Sequence, residues 1–190
     1  MSVRTPTEPT ALESPDDAWA LGVARRADWR FLLPRPRLGR VAYLAPHDSG
    51  LIAALSVVSD VLELGAPPGT LGSHDVVVLT GARRRHIARA RAILRHGGWL
   101  YAEVPGPAAR ACTRAFRRSG FVEVSAHWLW PAADECHEIV ALERDPLLHA
   151  LSRRDPGARL RLRARVARFL VASGMFPLAV RRACVIGRHP

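Results

Sequence analysis

The middle of the chain alternates between short apolar runs and longer segments whose apolar residues recur at helical spacing. The run at 75–81 (DVVVLTG) is almost entirely apolar, which is typical of a strand covered on both faces. At 82–95 apolar residues fall on one face and arginines on the other, which predicts a helix ended by Gly97 and Gly98. Similar patterns predict strands at 99–104, 120–126, 137–142 and 183–188, and helices at 108–118 and 146–173 with a break near 154–157. Strands alternating with helices in this way predict an α/β fold with a mostly parallel sheet.

The pattern before residue 51 is weaker. Residues 1–15 are polar and predict a flexible tail, and a short helix is expected over 16–26. Two prolines within 28–40 predict an extended segment there, because proline does not continue a helix. A short strand follows at 40–45, and then a turn at 46–50.

Residues 51–65 (LIAALSVVSDVLELG) allow two interpretations. One is a single helix that begins after Asp48 or Ser49 and ends at Gly65. The other is a helix that ends near Val58, followed by a second strand that carries Glu63 near its end. We favour the second interpretation.

The composition is that of a globular protein. The 190 residues are 48% hydrophobic and 24% charged, which argues against disorder over the whole chain. No apolar run reaches the length of a membrane-spanning helix, and no apolar signal segment follows the first residues. The three cysteines are far apart and form neither a zinc pattern nor a disulfide framework. We therefore expect a cytoplasmic protein.

The charge is strongly positive. All 28 basic residues are arginine, and the 17 acidic residues leave a formal net charge of +11. Such an excess attracts anions, nucleic acid or acidic membrane. The arginines of 83–95 are expected to form a solvated helix face. Those of 159–170 lie beside an apolar stripe of Leu162, Val166, Phe169 and Leu170, so that helix could contact an anionic membrane, cover a pocket or pack on its own sheet. With no recognisable RNA-binding module, a nucleic-acid partner is not expected.

Four stretches resemble one protein family. They are 75–82 (DVVVLTGA), 93–106 (ILRHGGWLYAEVPG), 117–128 (RRSGFVEVSAHW) and 183–189 (ACVIGRH). In order and content they resemble the class I S-adenosylmethionine-dependent methyltransferases. The resemblance implies a Rossmann-like α/β fold with a mostly parallel sheet, helices on both faces and an antiparallel C-terminal edge strand. It also implies one domain over 16–190 with a helical insert at about 145–175.

The stretch that should bind the cofactor departs from the family pattern. In the family the first strand ends in an acid and a glycine-rich turn follows, whereas this chain has VAYLAPHDSG at 41–50. Tyr43 stands in place of the acid, and Pro46 removes a backbone N–H donor. The front half is also short, with room for one βα unit before residue 75. The resemblance nevertheless implies S-adenosylmethionine (SAM) contacts from the following residues: Ala45, Pro46, His47, Ser49, Gly50, Glu63, Thr80 and Gly81.

Candidate chemistry lies at the predicted carboxyl ends of the strands, where open α/β sheets bind ligands. His47 is a candidate base oriented by Asp48, although Asp48 or Ser49 could simply cap the next helix. His127 is a second candidate base. Candidate substrate contacts are Trp128, Trp130 and Glu103, and the tryptophans could equally be packed at a sheet edge. Cys136 and His137 have no second ligand pair, so no metal site is expected.

Three hypotheses of function follow. The first is a methyltransferase-like pseudoenzyme with an eroded SAM site, acting as a binding, cyclising or partner subunit on a small-molecule ligand, alone or in a homo- or hetero-oligomer. The second is an active SAM-dependent methyltransferase on a small-molecule acceptor. The third is a basic peripheral membrane or RNA-binding protein.

Overall fold

A computed structural model describes residues 22–65, 70–81, 83–130, 136, 138–153 and 161–190, with no side chains described for 161–164. The predicted tail over 1–15 and most of the predicted helix over 16–26 lie outside these residues. Within the described ranges, no helix is long and apolar enough to cross a membrane.

One mixed sheet organises the described part of the chain. Its strands are β1 (Arg40–Tyr43), β2 (Val61–Leu64), β3 (His74–Thr80), β4 (Leu94–Pro105), β5 (Val122–Trp130), β6 (Glu138–Ala141) and β7 (Arg182–Arg188). They lie in the order β2-β1-β3-β4-β7-β5-β6. β2, β1, β3 and β4 are parallel to one another, whereas β7 is antiparallel to β4 and β5, and β6 is antiparallel to β5.

Helices cover both faces of this sheet. A 3₁₀ helix at Arg25–Leu32 precedes β1, and a 3₁₀ turn at Gly106–Ala108 follows β4. The α-helices are α1 (Ser49–Val58), α2 (Arg84–Ile93), α3 (Ala109–Arg118), α4 (Arg144–Arg153), α5 (Arg161–Ala172) and α6 (Phe176–Ala179).

Strand alternation divides the core into two layers. We call the side covered by the first 3₁₀ helix and α1 the α1 face; it includes Val41, Val78 and Tyr101. The opposite side, the α3 face, is covered by α2 to α6 and includes Leu100 and Ala102. Neighbouring residues on one strand point to opposite faces, so this division decides which side chains can meet.

Several predicted elements are confirmed. α1 ends at Val58 and β2 follows at Val61–Leu64, as the second interpretation of 51–65 requires. Asp48 is the N-cap of α1, since its Oδ1 accepts a hydrogen bond from the Leu51 backbone N–H at 3.0 Å. The helices predicted over 146–173 correspond to α4 and α5, while the predicted break near 154–157 lies outside the described residues.

The prediction of an extended segment over 28–40 is wrong in its first part. Residues 25–32 form the 3₁₀ helix, and the first proline comes only after it ends. Burial supplies the reason, because Trp29 packs flat on Tyr101 with ring centroids 3.8 Å apart. The helical turn brings Trp29 onto the α1 face.

The predicted place of the last strand is also wrong. β7 is antiparallel as expected, but it lies inside the sheet between β4 and β5, and β6 forms that edge. β5 continues through Trp130 rather than ending at 126, and this longer strand pairs with β6 through residues 127–130.

The predicted apolar stripe on α5 is divided. Leu170 packs against the α3-face core, but Phe169 is 64% exposed and Val166 is also exposed. Val171, which the predicted stripe did not include, is buried. The side chain of Leu162 lies outside the described part.

Candidate functional site

The carboxyl ends of the parallel strands meet at one edge of the sheet, on the α1 face. A pocket of about 420 Å³ opens there. It is lined by Gly22, Val23, Arg26, Asp48, Gly50, Ala53 and Arg182. The lining thus combines the segment before β1, the start of α1 and the start of β7.

A buried ion pair lies beside this pocket. Glu103, near the end of β4, is 4% exposed, and Arg26 is 8% exposed. Arg26 binds the carboxylate through both terminal nitrogens, with Nη1 donating to Oε1 and Nη2 donating to Oε2 at 2.8 Å. The Tyr101 hydroxyl donates to Glu103 Oε1 at 2.8 Å. The bidentate geometry and the added donor satisfy a carboxylate that would otherwise be costly to bury.

Two further side chains join this pair. Arg26 Nη2 also donates to Asp48 Oδ2 at 3.3 Å, and Arg182 Nη1 lies 3.5 Å from Glu103 Oε2. We call Arg26, Asp48, Tyr101, Glu103 and Arg182 the Glu103 cluster. Two guanidinium groups face two carboxylates within it, so the formal charges balance. A ligand would therefore be held there by hydrogen bonds rather than by net charge.

Electrostatics fix the protonation of the cluster. Burial alone would lower the pKa of Arg26, but its hydrogen bonds and attraction to Glu103 outweigh this, and the pKa rises above its ordinary value. Burial, reinforced by the Glu103 charge, raises the pKa of Tyr101 well above its usual range. Near neutral pH Arg26 is therefore a cation and Tyr101 a neutral hydrogen-bond donor.

The turn after β1 folds back on its own strand. The Tyr43 hydroxyl donates to the Pro46 carbonyl at 2.7 Å. Burial, followed by the nearby charge of Asp48, raises the pKa of Tyr43. His47 is exposed, and it has no hydrogen bond to another residue in the described part of the chain. Asp48 therefore binds Arg26 and caps α1, and it does not orient His47.

The other predicted cofactor contacts are dispersed. Ala45 is half-buried, and Ser49 and Gly50 are exposed at the start of α1, where Gly50 lines the pocket. Thr80 lies next to Glu103 in the sheet register. Gly81, with φ of +87°, donates its N–H to the Glu103 carbonyl at 2.7 Å and turns the chain out of the sheet.

Glu63 is engaged away from the pocket. Its Oε1 accepts hydrogen bonds from Arg40, at 2.8 Å from Nε, and its Oε2 lies 3.0 Å from His74 Nε2. Arg40 and His74 are the first residues of β1 and β3, at the amino ends of those strands. These bonds lower the pKa of Glu63, with the hydrogen bonds from Arg40 as the main cause. This carboxylate, one of the expected SAM contacts, is thus in an ion pair of its own.

The side chains of His127, Trp128 and Trp130 do not point toward a common site. His127 shares the α1 face with Glu103, separated from it by Cys184 on β7. Trp128 points to the α3 face, where it meets Phe176 edge-on with centroids 5.2 Å apart. Trp130 falls on the same face as Trp128 by alternation. The histidine and the tryptophans therefore lie on opposite faces of the sheet.

His127 itself is in a half-buried position. Its Nε2 lies 2.9 Å from the Ser125 hydroxyl, and burial lowers its pKa to about 4. Near neutral pH the ring is uncharged, as a general base requires. Its partner is a serine on its own strand.

Sequence reasoning missed three members of the Glu103 cluster: Arg26, Tyr101 and Arg182. One signal was available, because Tyr101 and Glu103 alternate on a single buried strand and so point to the same face. A carboxylate in that position requires a cation. Nothing in the residue pattern identifies that cation among the 28 arginines.

Comparison with known proteins gives structural similarity only. No family model matches the sequence, and no curated protein matches it. A SAM-dependent methyltransferase of Thermotoga maritima, described as a possible histamine N-methyltransferase, is 12% identical, with a TM-score of 0.44 over 92% of this chain and 94% of that one. A putative methyltransferase in complex with the Haloferax volcanii Trm112 activator is 15% identical, with a TM-score of 0.43 over 92% and 95% of the two chains. The [4+2]-cyclase SpnF is 11% identical, with a TM-score of 0.41 over 96% and 85%.

The fold assignment rests on the sheet. Four parallel strands in the order β2-β1-β3-β4 are followed by an antiparallel β7 and then by β5, with helices on both faces. The front contains a single βα unit, α1 and β2, between β1 and β3, and β6 extends the far edge. The chain therefore has a Rossmann-like α/β fold, with a single helix and strand between β1 and β3.

Proposed function

We propose that this chain is a methyltransferase-like pseudoenzyme with an eroded SAM site, and that it acts as a non-methylating binding, cyclising or partner subunit. The observation that carries the proposal is the buried Arg26–Glu103 ion pair at the carboxyl ends of the strands. The protein's own side chains take up hydrogen-bonding capacity that a cofactor would need.

The turn after β1 supports the same proposal. A cofactor approaching this turn needs backbone N–H donors and little side-chain bulk. Pro46 has no N–H, and its carbonyl is already held by Tyr43. Ala45 and His47 carry Cβ atoms where glycine would leave room. The residues present fit SAM poorly here.

Glu63 adds independent support. Its carboxylate is bound by Arg40 and His74, and it does not line the pocket beside the Glu103 cluster. Binding a cofactor would require breaking these bonds, and Nε2 of the buried His74 ring would then lose its partner.

Calorimetric titration of the full chain with SAM and with S-adenosylhomocysteine tests this proposal. We expect no binding heat up to millimolar cofactor, since the turn offers too few donors. Thermal unfolding in the same buffer establishes that the sample is folded. A micromolar dissociation constant for either compound would overturn the proposal.

An active SAM-dependent methyltransferase on a small-molecule acceptor is the second candidate. The pocket beside Asp48 favours it, because Gly50 and Ala53 leave space at the start of α1. A Cβ added at Gly50 meets only the Asp48 carboxylate, at 3.6 Å, so Gly50→Val narrows the pocket without a backbone clash. If the chain binds SAM there, G50V abolishes binding, while the control Ser56→Val on the exposed side of α1 retains it.

The ligand of the pseudoenzyme is a small molecule held by the Glu103 cluster, and a second chain could complete the pocket as a homo- or hetero-oligomer. Light scattering coupled to size-exclusion chromatography, with and without a metabolite mixture, measures the mass. A mass that stays monomeric throughout argues against self-association.

A further inference from the structure

A second concave surface lies on the opposite side of the sheet, between α2 and α3. Its volume is about 940 Å³. Arg83 and Arg84 line one wall, and Arg114 and Arg118 line the other. We call this surface the α2–α3 groove.

The two helices carry only positive formal charge. Neither α2 nor α3 contains an aspartate or a glutamate. Between Val76 and Val122 the single acidic residue is Glu103, which is buried on the α1 face and bound to Arg26. The positive potential of the groove is therefore not offset by an acid on either helix.

The four wall arginines are available for a ligand. All four are exposed, and none forms an ion pair with an acidic residue in the described part of the chain. Other arginines nearby are engaged: Arg95 pairs with Asp75 at 2.6 Å, and Arg110 donates to the Gly174 carbonyl. Four like charges on facing walls repel one another, which a bound polyanion would relieve.

The shape of the groove selects among polyanions. Its floor is recessed and made of small or buried residues, including Val104, Ala108 and Cys112. No large apolar side chain is exposed on α2 or α3. A bilayer is flat, and a protein gains affinity for it by inserting apolar residues. The recessed groove exposes no such residues, so it is poorly suited to bind a bilayer. A phosphodiester strand can enter a groove and meet guanidinium groups on both walls.

We propose that the α2–α3 groove binds the phosphodiester backbone of a nucleic acid through Arg83, Arg84, Arg114 and Arg118. No aromatic side chain lines the groove, so bases have no stacking partner and binding is independent of sequence. The sequence predicts no nucleic-acid partner, because it holds neither a recognisable RNA-binding module nor a basic strand interleaved with aromatic residues. The groove arises only from the packing of α2 beside α3.

Fluorescence anisotropy with a mixed-sequence single-stranded RNA of about 20 nucleotides, and with the matching DNA, tests the proposal. Four phosphate contacts predict that log K falls with log salt with a slope of about −3. In Arg114→Gln/Arg118→Gln the dissociation constant rises on the order of tenfold and the slope weakens by about 1.4. RNA and DNA lose affinity together, because the contacts are to phosphate.

The matched control is Arg25→Gln/Arg35→Gln. It removes the same two charges from exposed positions before β1 and outside the groove. We expect the control to bind within about twofold of the unchanged protein, because net charge alone contributes little beyond a Debye length. Thermal unfolding of both variants verifies folding.

Three results would overturn the proposal: equal loss in both double variants, no loss in the groove variant, or retention by anionic phosphatidylserine vesicles with no binding to either nucleic acid. The proposal does not depend on the SAM site, so the cofactor titration and this assay fail or succeed separately.

Discussion

At the scale of single residues, the Glu103 cluster depends on one buried pair. A carboxylate as enclosed as Glu103 is stable as an anion only where cations and donors surround it. Arg26 supplies two hydrogen bonds and the opposing charge, and Tyr101 supplies a third bond. Removing one partner lowers the free energy of unfolding chiefly because the charge of the other partner is left buried without an opposite charge.

Glu103→Gln leaves the Arg26 guanidinium buried without its main counter-charge. We expect a loss of about 3–5 kcal/mol in the free energy of unfolding. Arg26→Met/Glu103→Leu loses less, because no buried charge remains. Urea unfolding of both variants gives the values. A single substitution that costs no more than the double one would show that the pair is not coupled.

His127 predicts a pH dependence of stability. Its pKa is about 4 in the folded chain, below the ordinary histidine value of about 6.5, so the unfolded chain binds a proton first as pH falls. The free energy of unfolding therefore decreases between about pH 6.5 and pH 4, by as much as about 3 kcal/mol from this group. Glu103 and Cys184 share its face.

His127→Gln removes that contribution. Urea unfolding at about pH 7 and about pH 4.5 should give a smaller drop in the variant than in the unchanged protein, since other groups titrate equally in both. Equal drops would mean that burial does not lower the pKa of His127.

At the scale of elements, two local contacts position helices: one joins α1 to the first 3₁₀ helix, and the other brings α6 against the turn after β4. Asp48 joins the start of α1 to Arg26. Gly106 lets α6 approach the turn after β4, since an added Cβ would lie 2.1 Å from the Val180 carbonyl oxygen and 2.4 Å from that of Pro177.

Gly106→Ala should destabilise the chain by at least about 2 kcal/mol, because the clash is with backbone that cannot move without lifting α6. The control is Gly22→Ala, where an added Cβ meets nothing within 4 Å. Thermal unfolding compares the two. A G106A protein as stable as G22A would contradict the tight packing of α6.

Asp48→Ala removes the α1 cap and the contact with Arg26, and we expect a loss of about 1–2 kcal/mol. Asp48→Asn keeps a capping oxygen and removes only the charge, so its loss is smaller. Chemical denaturation of both variants measures the two losses in the free energy of unfolding. Equal losses would assign the whole effect to the charge.

Elements from β3 to α3 were predictable because apolar periodicity is strong there and glycine or proline marks their ends. The 3₁₀ helix at Arg25–Leu32 was not, because only the burial of Trp29 against Tyr101 favours it. His127, Trp128 and Trp130 were grouped by adjacency, although a strand sends neighbours to opposite faces. Glu103 was a candidate, but its partner lies 77 positions away.

At the scale of the whole molecule, charge is unevenly placed. Acidic residues are drawn into ion pairs with Arg26, Arg40 and Arg188, while α2 and α3 are purely basic. The net charge of +11 therefore acts mainly as surface self-repulsion.

Raising sodium chloride from about 20 to about 200 mM should raise the melting temperature, since it shortens the Debye length to about 7 Å and screens this repulsion. Buried pairs such as Arg26–Glu103 are screened much less. The rise should be smaller in Arg114→Gln/Arg118→Gln. A melting temperature that falls with salt would indicate that surface ion pairs dominate instead.

The strand β7 lies between β4 and β5, although it follows both in the chain. During synthesis, β4 and β5 each present an open edge until residues 182–188 have emerged from the ribosome. Open edges are surfaces on which nascent chains aggregate. The sheet can therefore be completed only after β7 has been synthesised, when that strand inserts at an interior position between β4 and β5.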